Sequence, residues 1–292
     1  MRNSFIKLHI SIVLAGFTGI FGKLIEMAEG PLVWYRLLLA FLLFFCYLKV
    51  TGKLPKIPLA EAIKISGVGA LIALHWLFFY GSVKYANVSI AVVCFALTGF
   101  FTAILEPICG KSKISARELC FSLLTVAGIV LIFHFDTKFR TGIILGVICA
   151  LFAALFTIAM RQVGSRHDSN TMLLHQMAGG WAFLCLIAPL YLFLFPGVRL
   201  VPGPMDFFYL LLLSSLCTIG MFLLQIQALR DISAFTVNLS YNLEPVYSII
   251  LAMFLFHEAN ELNLSFFVGL ALICASVVLQ SVYALRQRGG IR

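Results

Sequence analysis

Long apolar runs with short breaks between them limit this fold more than any other feature of the sequence. A membrane-spanning helix needs about 20 predominantly apolar residues. Such runs lie at 6–28, 31–49, 62–83, 87–108, 117–135, 141–160, 170–195, 206–229, 232–256 and 262–285. The breaks carry turn residues, as in Glu29-Gly30-Pro31, Thr51-Gly52-Lys53 before Pro55 and Pro58, and Pro196-Gly197 through Pro202-Gly203-Pro204. Runs this long and continuous exclude a β-barrel of period-2 strands. The chain is 62% hydrophobic and 11% charged, against roughly 45–50% and 25% in a soluble domain. The expected fold class is an all-α membrane protein with ten transmembrane helices. Arg2 and Lys7 before the first run have the look of a signal peptide. No small-x-small cleavage site follows and nine more runs do, so this run is read as an uncleaved first helix.

The basic residues orient the spans. With the N-terminus inside, 15 of the 21 Lys and Arg residues fall on cytoplasmic segments. Only Lys84, Lys138, Arg140 and Arg199 fall outside, while Lys23 and Arg36 lie within spans. This bias predicts that both termini are cytoplasmic. The net charge of +9 is then topological, the lipid bilayer is sufficient partner for it, and no nucleic acid is implied.

An internal repeat is visible. Leu97-Thr98-Gly99-Phe100-Phe101-Thr102-Ala103-Ile104-Leu105 aligns without gaps on Leu243-Glu244-Pro245-Val246-Tyr247-Ser248-Ile249-Ile250-Leu251 at a shift of 146, and Ser82-Val83-Lys84 pairs with Ala228-Leu229-Arg230. Val13-Leu14-Ala15-Gly16 lines up with Val147-Ile148-Cys149-Ala150. The expected domains are residues 1–138 and 139–292, five helices each. Because five is odd, the second half must be inverted relative to the first. Inverted repeats are a transporter architecture with the substrate site near the midplane.

Ser233-Ala234-Phe235 through Leu243-Glu244-Pro245-Val246, then Phe256-His257-Glu258 and Gly269-Leu270-Ala271-Leu272-Ile273, resembles the EamA signature of the drug/metabolite transporter superfamily. In the first repeat Thr98-Gly99 stands where Glu-Pro would be, and Glu106-Pro107 is out of register. Arg36 also fits the family pattern. The resemblance implies a ten-helix secondary transporter in a bacterial-type inner (cell) membrane, often an exporter of amino acids or similar small metabolites. It also implies that helices 1–4 and 6–9 surround the cavity, with helices 5 and 10 peripheral.

Ionisable residues within a span are expensive, so they need a partner or a function. Glu244 lies about eleven residues into run nine, roughly 17 Å deep at 1.5 Å per residue. Pro245 removes a backbone donor beside it and predicts a kink. Glu244 is therefore a candidate substrate-binding and proton-coupling group, or else a structural carboxyl tying helix 9 to a neighbour. Asn238, Tyr241, Asn242 and Pro245 recur on the same helical stripe and face protein or a wet cavity. Gln225, Gln227 and His75 are further candidates, as are Trp76 and Trp181, which lie mid-span where an aromatic substrate could stack. Lys23 and Glu26, three apart, are expected to pair. Arg36, about five residues inside run two, either snorkels within a salt-bridged outer gate or attracts a substrate carboxylate.

Other motifs fall short. The nearest cysteines, Cys109 and Cys120, are eleven apart, so no CxxC exists. His257-Glu258-Ala259-Asn260-Glu261 lacks the second His of a zinc motif. Gly16, Gly19 and Gly22 suit helix packing, and Gly142-x-x-x-Gly146 has close-packing spacing. No P-loop is present, so no nucleotide cofactor or metal is implied and gradients must supply the energy. The expected function is small-metabolite transport by alternating access, as a monomer or homodimer. Multidrug or cation efflux is the alternative. A membrane-embedded enzyme would need facing carboxylates or His pairs and ranks lower, so no enzyme is expected.

Overall fold

The computed structural model describes residues 2–110, 116–135, 137–164, 167–229 and 243–289, and these contain no strand. The helices are α1 (Arg2–Leu24), α2 (Glu29–Val50), α3 (Leu59–Tyr85), α4 (Val88–Phe95), α5 (Thr98–Gly110), α6 (Ala116–Phe135), α7 (Arg140–Gly164), α8 (Ser169–Leu194), α9 (Pro204–Ser214), α10 (Met221–Leu229), α11 (Glu244–Phe256) and α12 (Leu264–Gly289). A π-helical segment, Ser215–Gly220, joins α9 to α10. Among the described residues seven helical stretches are long and apolar enough to cross a membrane. Three shorter apolar stretches accompany them: Ser122–Ile132, Glu244–Phe256 and Leu264–Ser276.

Local chemistry sets the ends. Asn87 caps α4 by accepting from the Ile90 amide at 2.9 Å, and Asp168 caps α8 through Asn170 and Thr171. Asp206 accepts from the Gly203 amide at 3.1 Å to start α9. Gly52 and Gly197 take positive φ at the turns after α2 and α8.

Several expectations need correction. The first helix ends at Leu24, not residue 28, and Ile25–Ala28 form a non-helical link. Run four is two helices, broken at Ala96-Leu97. Run eight is not a uniform α-helix, since the π segment interrupts it.

The outward surface is apolar, with Phe193, Phe254 and Leu186 each about four-fifths exposed. Lipid solvates such side chains as well as a neighbouring helix does, so close contact between helices must come from small residues. At the crossing of α3 and α8, a Cβ on Gly69 would lie 2.2 Å from the Gln176 carbonyl oxygen, and one on Gly179 would lie 2.3 Å from the Ser66 Cα. α6 packs on α12, where Gly128 and Gly269 each approach the other's carbonyl within 2.7 Å of an added Cβ. Gly142 and Gly146 give α7 close seats on Ala86 and Cys94. Gly16 receives Ser248, whose hydroxyl donates to the Gly16 carbonyl at 3.1 Å.

Candidate functional site

The α-helices enclose a cavity of about 250 Å³. Its wall takes Thr18 and Gly19 from α1, Arg36 from α2, and His75, Trp76 and Phe79 from α3. Phe95 and Thr98 flank the break between α4 and α5, Phe156 comes from α7, Gln225 from α10, and Glu244 and Ser248 from α11. Among the described residues, none that lines it belongs to α6, α8 or α12. Of the eight substrate-site residues named from sequence, Arg36, His75, Trp76, Gln225 and Glu244 thus share one cavity. Asn238, Tyr241 and Asn242 lie outside the described residues.

Arg36 is 1% exposed, so it does not snorkel; corrected by the structure, its guanidinium is held in the interior. Its Nε donates to Thr218 Oγ1 at 3.1 Å, Nη1 to the Tyr80 hydroxyl at 2.6 Å, and Nη2 to the Cys217 carbonyl at 3.5 Å. The guanidinium carbon sits 3.6 Å from the centre of the Trp76 ring, a cation–π geometry. The π segment makes this possible. Thr218 donates its hydroxyl to Leu213, five residues back, and keeps its lone pairs for Arg36. All of these partners are neutral, and no ion pair to Arg36 or to Glu244 occurs among the described residues.

Two helix starts correspond. α5 starts at Thr98 and α11 at Glu244, the positions that the shift of 146 pairs, and both line the cavity. His75 places Nδ1 3.3 Å from the Cys149 carbonyl and 3.2 Å from its sulfur, with its ring 5.3 Å from Phe95.

Other expectations fare differently. Trp181 packs against Trp34 at 5.9 Å, away from the cavity, and Gln227 is exposed. Lys23 does not pair with Glu26. The helix ends at Leu24, so Glu26 is off the helix that the spacing argument assumed, and Lys23 instead reaches Glu258 at 2.9 Å. At the same end of the bundle, Asp206 accepts from the Glu26 amide at 2.8 Å, Tyr191 donates to Glu29 at 3.1 Å, and Lys84 donates to the Ile25 carbonyl. Glu61, Lys64 and His167 form a separate cluster. Sequence reasoning missed Tyr80, Thr218 and Thr98. Only Thr98 had a signal, its alignment with Glu244.

A larger groove, about 340 Å³, opens between α2 and α8 and is lined by Trp34, Tyr35, Tyr191 and aliphatic residues. It contains no charged side chain, so the smaller cavity is the better place to recognise a polar solute.

Comparisons with known proteins agree with this architecture. The chain matches the EamA-like transporter family at residues 5–134 and 140–282. It is 25% identical over 273 residues to an uncharacterized transporter of Haemophilus influenzae, covering 88% of this chain and 86% of that protein. It is 26% identical over 247 residues to an uncharacterized transporter of Archaeoglobus fulgidus, covering 81% of each. GDP-fucose transporter 1 of Dictyostelium discoideum is 29% identical over 153 residues, which is 49% of this chain and 42% of that protein. A crystal structure of a protein 16% identical in sequence superposes with a TM-score of 0.63 over 98% of this chain and 99% of the other, a likeness of fold. With matches in both halves and a membrane-spanning helical bundle around a polar cavity, the chain belongs to the EamA-like transporter family of the drug/metabolite transporter superfamily.

Proposed function

We propose that the protein exports small metabolites such as amino acids by alternating access, with the cavity of Arg36, His75, Trp76, Gln225 and Glu244 as its substrate site. One observation carries this reading: a buried cation and a carboxylate line one cavity without an ion pair between them. A volume of about 250 Å³ is below the roughly 300–1,000 Å³ typical of drug-sized ligands and suits a small solute. Asn238, Tyr241 and Asn242 complete the site in this reading.

The helix starts at Thr98 and Glu244, positions that the repeat pairs, support two inverted five-helix repeats, residues 1–138 and 139–292, an architecture in which the substrate site lies near the midplane. The basic-residue bias supports an orientation in the cell membrane with the Glu258 end outside and both termini inside. Glu244 is the proton-coupling group.

The test is flux from proteoliposomes against a panel of amino acids at several pH values. Saturable flux driven by a pH gradient is expected for the wild type. Glu244→Gln should retain binding but lose dependence on the gradient; unchanged dependence removes the coupling role. Efflux of lipophilic cations with all amino acids inert would replace the substrate assignment.

A further inference from the structure

Glu258 is a buried carboxylate that the cavity does not use. It is 0% exposed and collects four donors: Lys23 Nζ at 2.9 Å, the Val88 amide at 3.0 Å, and the amide and hydroxyl of Ser89 at 2.9 and 2.6 Å. These come from two elements distant in sequence, the last turn of α1 and the first turn of α4, while Glu258 itself follows α11. Lys23 also lies 4.5 Å over the ring of Phe256, the last residue of α11. His257, between them, holds φ of 55°, a left-handed conformation that a non-glycine residue keeps only when its surroundings enforce it.

The three elements tied here are cavity helices. α1 supplies Thr18 and Gly19, α4 supplies Val92 and Phe95, and α11 supplies Glu244 and Ser248. Charge-assisted bonds to a carboxylate at a helix N-terminus are strong yet can be exchanged for water one by one. The repeat adds an asymmetry. A shift of 146 pairs Glu258 with Ser112, which stands between Lys111 and Lys113, and no carboxylate occurs from 107 to 117.

We infer that Glu258 is the latch of a gate, fastening α11 to α1 and α4 at one end of the cavity, and that its release lets these helices part. The fastening is a property of the fold; calling it a gate rests on the transport reading above. Hydrogen–deuterium exchange of the full-length protein in lipid nanodiscs separates the two, because it needs no transported substrate. In Glu258→Gln, amides of residues 86–91, 22–28 and 244–257 should exchange about tenfold faster, the size expected for loss of a charge-assisted hydrogen bond. Residues 59–70 and 169–180, at the α3–α8 crossing, should keep the wild-type rate. Acceleration confined to 88–90 would overturn the proposal and leave Glu258 as a cap of α4. If Glu258→Gln fails to fold, Lys23→Met decides, since it keeps the carboxylate and its bonds to α4. About threefold faster exchange at 244–257 then supports the latch, and an unchanged rate overturns it. Absence of flux with every solute, alongside the expected exchange pattern, would refute transport and leave the latch standing.

Discussion

Two buried charges in this molecule are treated in opposite ways. Glu258 is enclosed by four donors, one of them a lysine ammonium. Arg36, equally enclosed, meets a tyrosine, a threonine, a backbone carbonyl and the face of a tryptophan, all neutral, and it borders a cavity. A saturated charge holds elements together. A charge whose partners are neutral, set in a cavity wall, is the arrangement that the transport reading assigns to recognition. On that reading the first arrangement serves stability and the second substrate binding, so substitutions at the two places should fail in different assays.

The largest effect should come from Arg36→Met, with flux reduced by at least about a hundredfold, because removing one side of a buried charge interaction costs on the order of 2–5 kcal/mol. Its thermal midpoint should change little, since relief of the cost of burying a charge offsets the loss of its hydrogen bonds to three neutral acceptors. A large drop in melting temperature would mean that Arg36 is a structural tie after all. Glu258→Ala should do the reverse, destabilising the protein by about 2–3 kcal/mol in a denaturant titration because two amides and an ammonium lose their acceptor. Little change in stability would erase the contrast.

Thr218→Val tests the support behind the cation. It keeps the shape but removes the acceptor for Arg36 Nε and the donor to Leu213, and flux should fall about tenfold at unchanged expression, chiefly as a raised KM. Trp76→Phe is the mildest, retaining an aromatic face under Arg36. About a threefold loss is expected from the weaker cation–π contact, and a loss as large as that of Arg36→Met would make Trp76 a substrate contact in its own right.

Much of this was legible in the sequence because a bilayer leaves few alternatives. The apolar runs anticipated the seven stretches that are long and apolar enough to cross a membrane among the described residues, and the expense of burying Arg36 and Glu244 marked both as lining something. The break in run four was not legible, because Ala96-Leu97 contains neither Gly nor Pro and the alignment of Leu97 with Leu243 is a sign only of duplication. What failed were inferences from local spacing. Lys23 and Glu26 are three apart, but pairing needs the helix to continue, and α1 stops at Leu24. Glu258, met in sequence as part of an incomplete zinc motif, finds its partners 170 and 235 residues away. No periodicity encodes such a contact. Tyr80 and Thr218 read as ordinary residues of apolar helices, because a single hydroxyl on a helix says nothing of which neighbour it will meet.

The π segment at Ser215–Gly220 has a consequence for chain length. A π turn closes its hydrogen bonds over i→i+5 and so accommodates about one residue more than an α turn. Deleting one residue there would let the segment close as an ordinary α turn, with α10 keeping its phase and Met221, Phe222 and Gln225 their places on the cavity wall. The wide turn that presents the Thr218 hydroxyl and the Cys217 carbonyl to Arg36 would be lost, although no other side chain had changed. The junction of α9 and α10 is thus a place where the count of residues matters as much as their identity, and where a one-residue deletion should be tolerated far less well than one in the Pro196–Gly203 loop.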